Sequence, residues 1–61
     1  MATSYTVLLV EQTAVVRQIT RRKLAEDGCR VLEAANANEA LALLGRPNTR
    51  IDLVLIDAIG T

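Results

Sequence analysis

Ile51-Asp52-Leu53-Val54-Leu55-Ile56-Asp57 is an aliphatic run closed at its far end by a carboxylate. Read as a strand, it places Leu53 and Leu55 on one side and Val54 and Ile56 on the other, so both sides are apolar. Strands of that pattern belong to parallel sheets covered on both faces, not to half-exposed antiparallel ones. The expectation is an α/β fold in which this strand needs neighbours and cover. Only Ala58-Ile59-Gly60-Thr61 follows it, so much of that cover is expected from partner surface.

Working backwards, Arg46-Pro47-Asn48-Thr49-Arg50 reads as a turn after a helix that starts at Asn36 and closes at Gly45. Asn36 can accept from an orphan amide, and Glu39 completes an arrangement like a capping box. Ala40, Leu41, Leu43 and Leu44 supply the apolar side. Before that helix, Cys29 to Ala34 is a short strand whose centre, Arg30-Val31-Leu32-Glu33, has the mixed polarity of an edge. Gly28 ends an earlier helix running from Ala14 to about Asp27, with Thr13 as its N-cap and Val16, Ile19 and Leu24 at helical spacing. Tyr5-Thr6-Val7-Leu8-Leu9-Val10 is the first strand, followed by Glu11 and Gln12. The resulting βαβαβ unit, with right-handed crossovers, predicts a doubly wound parallel sheet in the order 2-1-3. Its helices lie on opposite faces, and each face is only partly roofed.

Sixty-one residues allow one domain, at a size where a single core is marginal. The single cysteine excludes an internal disulfide, and Cys29 is expected as a small buried hydrophobe rather than a cross-link. The absence of histidine removes imidazole metal sites and any histidine nucleophile or base. Seven basic and seven acidic residues cancel, which gives no global pull toward nucleic acid and little to oppose self-association. No apolar run approaches the length of a membrane span, and Met1-Ala2-Thr3-Ser4 does not open a signal peptide. A cytoplasmic protein without a membrane partner is expected.

Arg17, Arg21, Arg22 and Lys23 gather on one helix, but Glu26 and Asp27 stand four residues beyond Arg22 and Lys23, and no aromatic accompanies them. That is the pattern of a solvated face, not of a nucleic-acid interface. Glu11-Gln12-Thr13-Ala14-Val15 contains no glycine, so neither a P-loop nor a dinucleotide fingerprint is supported. No nucleophile–base constellation is visible, and the chain is not expected to be an enzyme.

Taken together, Val7-Leu8-Leu9-Val10-Glu11, Arg30-Val31-Leu32-Glu33-Ala34-Ala35-Asn36 with Glu39-Ala40-Leu41, and Asp52-Leu53-Val54-Leu55-Ile56-Asp57 resemble the receiver domain of two-component response regulators. The resemblance runs from about Thr6 to Asp57 and covers the first half of that flavodoxin-like fold. It implies that Asp57 matches the aspartate that accepts a phosphoryl group from a histidine kinase. It also implies that Glu11 matches the first member of an acidic pair that binds magnesium. Gln12 occupies the second acidic position, and an amide there weakens a site for a hard cation. Glu11 and Asp57, with a backbone carbonyl near Ile59, would hold magnesium loosely. The family's methionine-proline pair is replaced by Ala58-Ile59-Gly60-Thr61, and the hydroxyl residue and lysine of its later strands have no counterpart. Donors normally aimed at the phosphoryl group are therefore missing. On this reading Asp57 is expected to be an inherited carboxylate and Glu11 a solvated one, with no cofactor required.

Thr20, Lys23 and Asp27 stand where the family usually carries apolar residues, and a stripe left wet is expected there, through adaptation or ordinary drift. Lys23 and Asp27 can pair across one turn for about 0.3–0.5 kcal/mol. The functional expectation is a non-catalytic half domain forming a homodimer through Ile51, Leu53, Val54, Leu55 and Ile56. Neither proline nor inward charge blunts Leu53 to Ile56. Antiparallel pairing of two such edges across a two-fold axis gives one continuous sheet, and strand-swapped or face-to-face arrangements cover the same surface. The alternatives are a complementary half domain as partner, or a phosphorelay role for Asp57.

Overall fold

The computed structural model describes residues 4–57. Strand β1 (Thr6–Val10) leads through helix α1 (Ala14–Glu26) to β2 (Arg30–Ala34), and helix α2 (Ala37–Leu44) leads on to β3 (Leu53–Ile56). The strands are parallel and ordered β2-β1-β3, as the sequence predicts. The architecture is α/β, a three-stranded parallel sheet with two helices, consistent with half of a flavodoxin-like fold. Backbone bonds from Asp52 N–H to the Thr6 carbonyl (2.8 Å) and from Asp57 N–H to the Val10 carbonyl (3.1 Å) continue the β1–β3 pairing beyond both ends of β3.

Alternation along β1 assigns the faces. Leu8 packs with Ala34 and Ala40 as the buried cluster, flanked by Val10, Leu32, Leu43 and Ile51, so this face belongs to α2. Val7 and Leu9, also buried, point to the other face. The register partner of Leu9 is Glu33, whose carboxylate meets Arg17 (3.3 Å) and Arg21 (3.5 Å) from α1. The helices therefore lie on opposite faces. Both pack against β1 and β2, and neither packs against β3.

That arrangement leaves β3 an edge strand short of cover, as its place in the predicted order implies. Leu53, Val54 and Ile56 are exposed and Leu55 is half-buried, because both crossovers leave their helix over the other two strands. Among the described residues only three large hydrophobic side chains, Val7, Leu8 and Leu9, are buried, whereas nine stand exposed.

The α1 face differs from expectation. Arg17, Thr20, Arg21 and Leu24 are its half-buried residues, while Val16 and Ile19 are exposed. The buried Leu9 and the charged Glu33 share the facing sheet, and the pair of arginines satisfies that carboxylate. Thr20 is accordingly not left wet, although Lys23 and Asp27 are exposed, and among the described residues no ion pair joins them.

Both helices end on glycines, for different reasons. Gly28 adopts φ 88°, and the bonds Gly28 N–H to Ala25 O (3.0 Å) and Cys29 N–H to Leu24 O (3.1 Å) form a Schellman cap. Gly45 keeps a right-handed φ of −82°, which any residue adopts. At the start of α2, Asn36 Oδ1 accepts from Glu39 N–H (2.9 Å) and Glu39 Oε1 accepts from Ala35 N–H (2.8 Å), a variant of the expected capping box in which the glutamate reaches the residue before the N-cap. Thr13 holds the N-cap position of α1, but its side chain makes no capping bond.

Candidate functional site

In parallel α/β sheets the strand C-termini form the edge where ligands collect. Glu11 follows β1 there and Asp57 follows β3, and the pairing of Val10 with Ile56 sets the two positions side by side. Glu11 is not solvated, contrary to expectation: it is 3% exposed. Its N–H donates to the Ala34 carbonyl at 3.0 Å, which continues the ladder past β1 and draws the residue inward. The chain then turns, so that Thr13 N–H donates to Glu11 Oε2 at 2.7 Å. Arg17 Nη1 closes over the strand end by donating to the Glu11 carbonyl at 2.8 Å. Oε1 of the same carboxylate is buried without a hydrogen-bond partner.

A buried carboxylate oxygen without a donor is costly unless a cation or a proton meets it. Gln12 is exposed, and Asp57 is half-buried. Two carboxylates, those of Glu11 and Asp57, thus belong to neighbouring positions at this end of the sheet. Among the described residues there is no group of three or more potential metal-ligating His, Cys, Asp or Glu side chains. The carbonyl near Ile59 lies outside the described residues.

The residues expected to associate divide in two. Leu53, Val54 and Ile56 are exposed along β3 and Leu55 is half-buried. Ile51 instead packs against the Leu8–Ala34–Ala40 cluster and so belongs to the chain's own core. Sequence reasoning missed two features. One is Arg17, which ties Glu11 to Glu33; its signal lay in the register that sets Glu33 beside the buried Leu9, which no local pattern reveals. The other is the exposure of Leu41 and Leu44 on α2, which an apolar helix of only eight residues hinted at. No described helix is long and apolar enough to cross a membrane. Comparison of the chain with models of protein families, with curated proteins and with solved structures finds no match.

Proposed function

We propose that this chain is a non-catalytic, receiver-like half domain of the cytoplasm that self-associates through β3 and the apolar surface beside it. The carrying observation is the exposure of Leu53, Val54 and Ile56 on a strand whose neighbour, β1, holds the buried Leu8 and Leu9. β3 pairs on one side only among the described residues, so it offers both an unpaired edge and apolar side chains. Thermal unfolding of the purified chain over a range of concentrations tests this. Association coupled to folding makes the midpoint rise with concentration. A midpoint independent of concentration contradicts it.

The buried, unpartnered Glu11 Oε1 favours a second reading, a phosphoacceptor in a phosphorelay served by a histidine kinase. Asp57 would accept the phosphoryl group, and Glu11 and Asp57 would hold magnesium, which supplies positive charge to the phosphoryl oxygens. With acetyl phosphate as donor, an Asp57 oxygen bonds to phosphorus and acetate leaves. Mass spectrometry after incubation with acetyl phosphate and magnesium separates the readings. A phosphoryl mass gain lost in Asp57→Asn supports the phosphoacceptor, and no gain leaves the associating half domain.

A further inference from the structure

Helix α2 is apolar nearly all the way round: in Ala37-Asn38-Glu39-Ala40-Leu41-Ala42-Leu43-Leu44 only two residues are polar. A helix of that composition is normally buried on more than one side. Here only Ala40 is buried and Leu43 half-buried, both toward the sheet. Ala37, Leu41 and Leu44 are spaced four and then three residues apart and form one flank, the spacing of a helix–helix seam. Crossovers between parallel strands are right-handed almost without exception, and that hand, with α2 antiparallel to the strands, turns the flank toward β3. The sheet beside it carries Val54 and Ile56, register partners of Leu8 and Val10 and therefore on the α2 face. Leu41 and Leu44 on the flank and Val54 and Ile56 on the strand are all exposed, and with a right-handed crossover they border an open apolar trough.

We infer that this trough receives α2 of a second copy of the chain. The two helices then lie side by side across a two-fold axis, Leu41 against Leu41 and Leu44 against Leu44, and each covers Val54 and Ile56 of the other copy. This inference rests on the self-association proposed above and names its surface.

Area, charge and shape each favour a second copy. The exposed parts of Leu41, Leu44, Val54 and Ile56 amount to roughly 350 Å² per copy, comparable with the largest apolar patch of a typical monomer. Two copies remove roughly 700 Å² through these side chains alone, and Ala37, Ala42, Gly45 and the backbone carry the total toward the ~1,200 Å² of a specific interface. Glu39 is the only charged residue on α2, and its Oε1 already accepts from Ala35 N–H, so the two-fold axis brings no free like charges together. The α1 face is different: the exposed charges of Arg22, Lys23, Glu26 and Asp27 stand beside its exposed Val15, Val16 and Ile19, so a copy docked there would have to desolvate both signs of charge. The outward side of α2 carries Asn38, Ala42 and Gly45, whose small side chains let the helix approach the partner's β3 closely.

Two variants and a cross-link test the inference, with molar mass read by light scattering. Leu41→Lys, at a residue 65% exposed and off the strand edge, is expected to weaken dimerisation by roughly a hundredfold or more, because it buries two ammonium groups at the seam. Ile19→Lys, at an exposed residue of α1 on the other face of the sheet, is expected to leave the dimer intact. Leu41→Cys in a Cys29→Ser background is expected to form an interchain disulfide on mild oxidation. If Leu41→Lys unfolds, the cross-link decides. A wild-type dimer that keeps its mass in Leu41→Lys, or that gives no Leu41→Cys cross-link, overturns this surface while leaving self-association standing. A wild-type chain that is monomeric throughout overturns both.

Discussion

Leu8 and Val54 are register partners on adjacent parallel strands and point to the same face, yet Leu8 is 0% exposed and Val54 40%. The difference is made by α2, which roofs β1 and β2 and stops short of β3. Replacing Leu8 by Ala is expected to cost about 2–5 kcal/mol, as for other large-to-small core changes. A domain of this size has on the order of 3–9 kcal/mol in total. Leu8→Ala should therefore lose roughly half of the chain's stability, whereas Val54→Ala should fold and associate more weakly. Urea unfolding of both variants at low and high protein concentration checks the contrast.

Glu11→Gln keeps an oxygen for Thr13 N–H and removes a buried charge, but puts an NH2 group where the unpartnered Oε1 stands. The two effects oppose each other, and stability without added metal is expected to stay within about 1 kcal/mol of the wild type. If the Glu11 carboxylate serves a cation, magnesium should raise the unfolding midpoint of the wild type and not of the variant. Calorimetry with and without magnesium measures both effects.

The two N-caps predict opposite outcomes for similar substitutions. Asn36→Ala removes the acceptor of Glu39 N–H and should cost about 1 kcal/mol. Thr13→Ala removes no capping bond and should cost less than about 0.5 kcal/mol, since the Thr13 backbone supplies the bond to Glu11. Chemical denaturation of the two variants separates them.

The two helix-ending glycines divide in the same way. Gly28→Ala forces a side chain into a left-handed conformation, at a cost of about 1–2 kcal/mol. At Gly45 a Cβ would meet the Leu41 carbonyl oxygen at 3.5 Å, an ordinary contact, on a right-handed backbone. Gly45→Ala should be neutral or stabilising by a few tenths of a kcal/mol. Thermal midpoints of the pair test the assignment.

The features legible in the sequence were those with short-range causes. The aliphatic runs at Val7 to Val10 and Leu53 to Ile56, the cap of Asn36 and Glu39, and the stop at Gly28 fixed element order and the sheet order. The orientation of α1 was not legible, because Arg17 and Arg21 turn to the sheet for Glu33, a residue on another strand. Glu11 read as an ordinary strand-end acid, and its burial depends on the turn at Thr13 and on Arg17 arriving from the next helix. The apolar character of β3 did signal a need for burial, which the described residues of one chain leave unmet.

The most direct measurement is solution molar mass by light scattering behind a sizing column, over roughly a hundredfold range of concentration. A species of twice the 6.6 kDa chain mass that dissociates on dilution is expected. A folded species of 6.6 kDa at every concentration would contradict self-association.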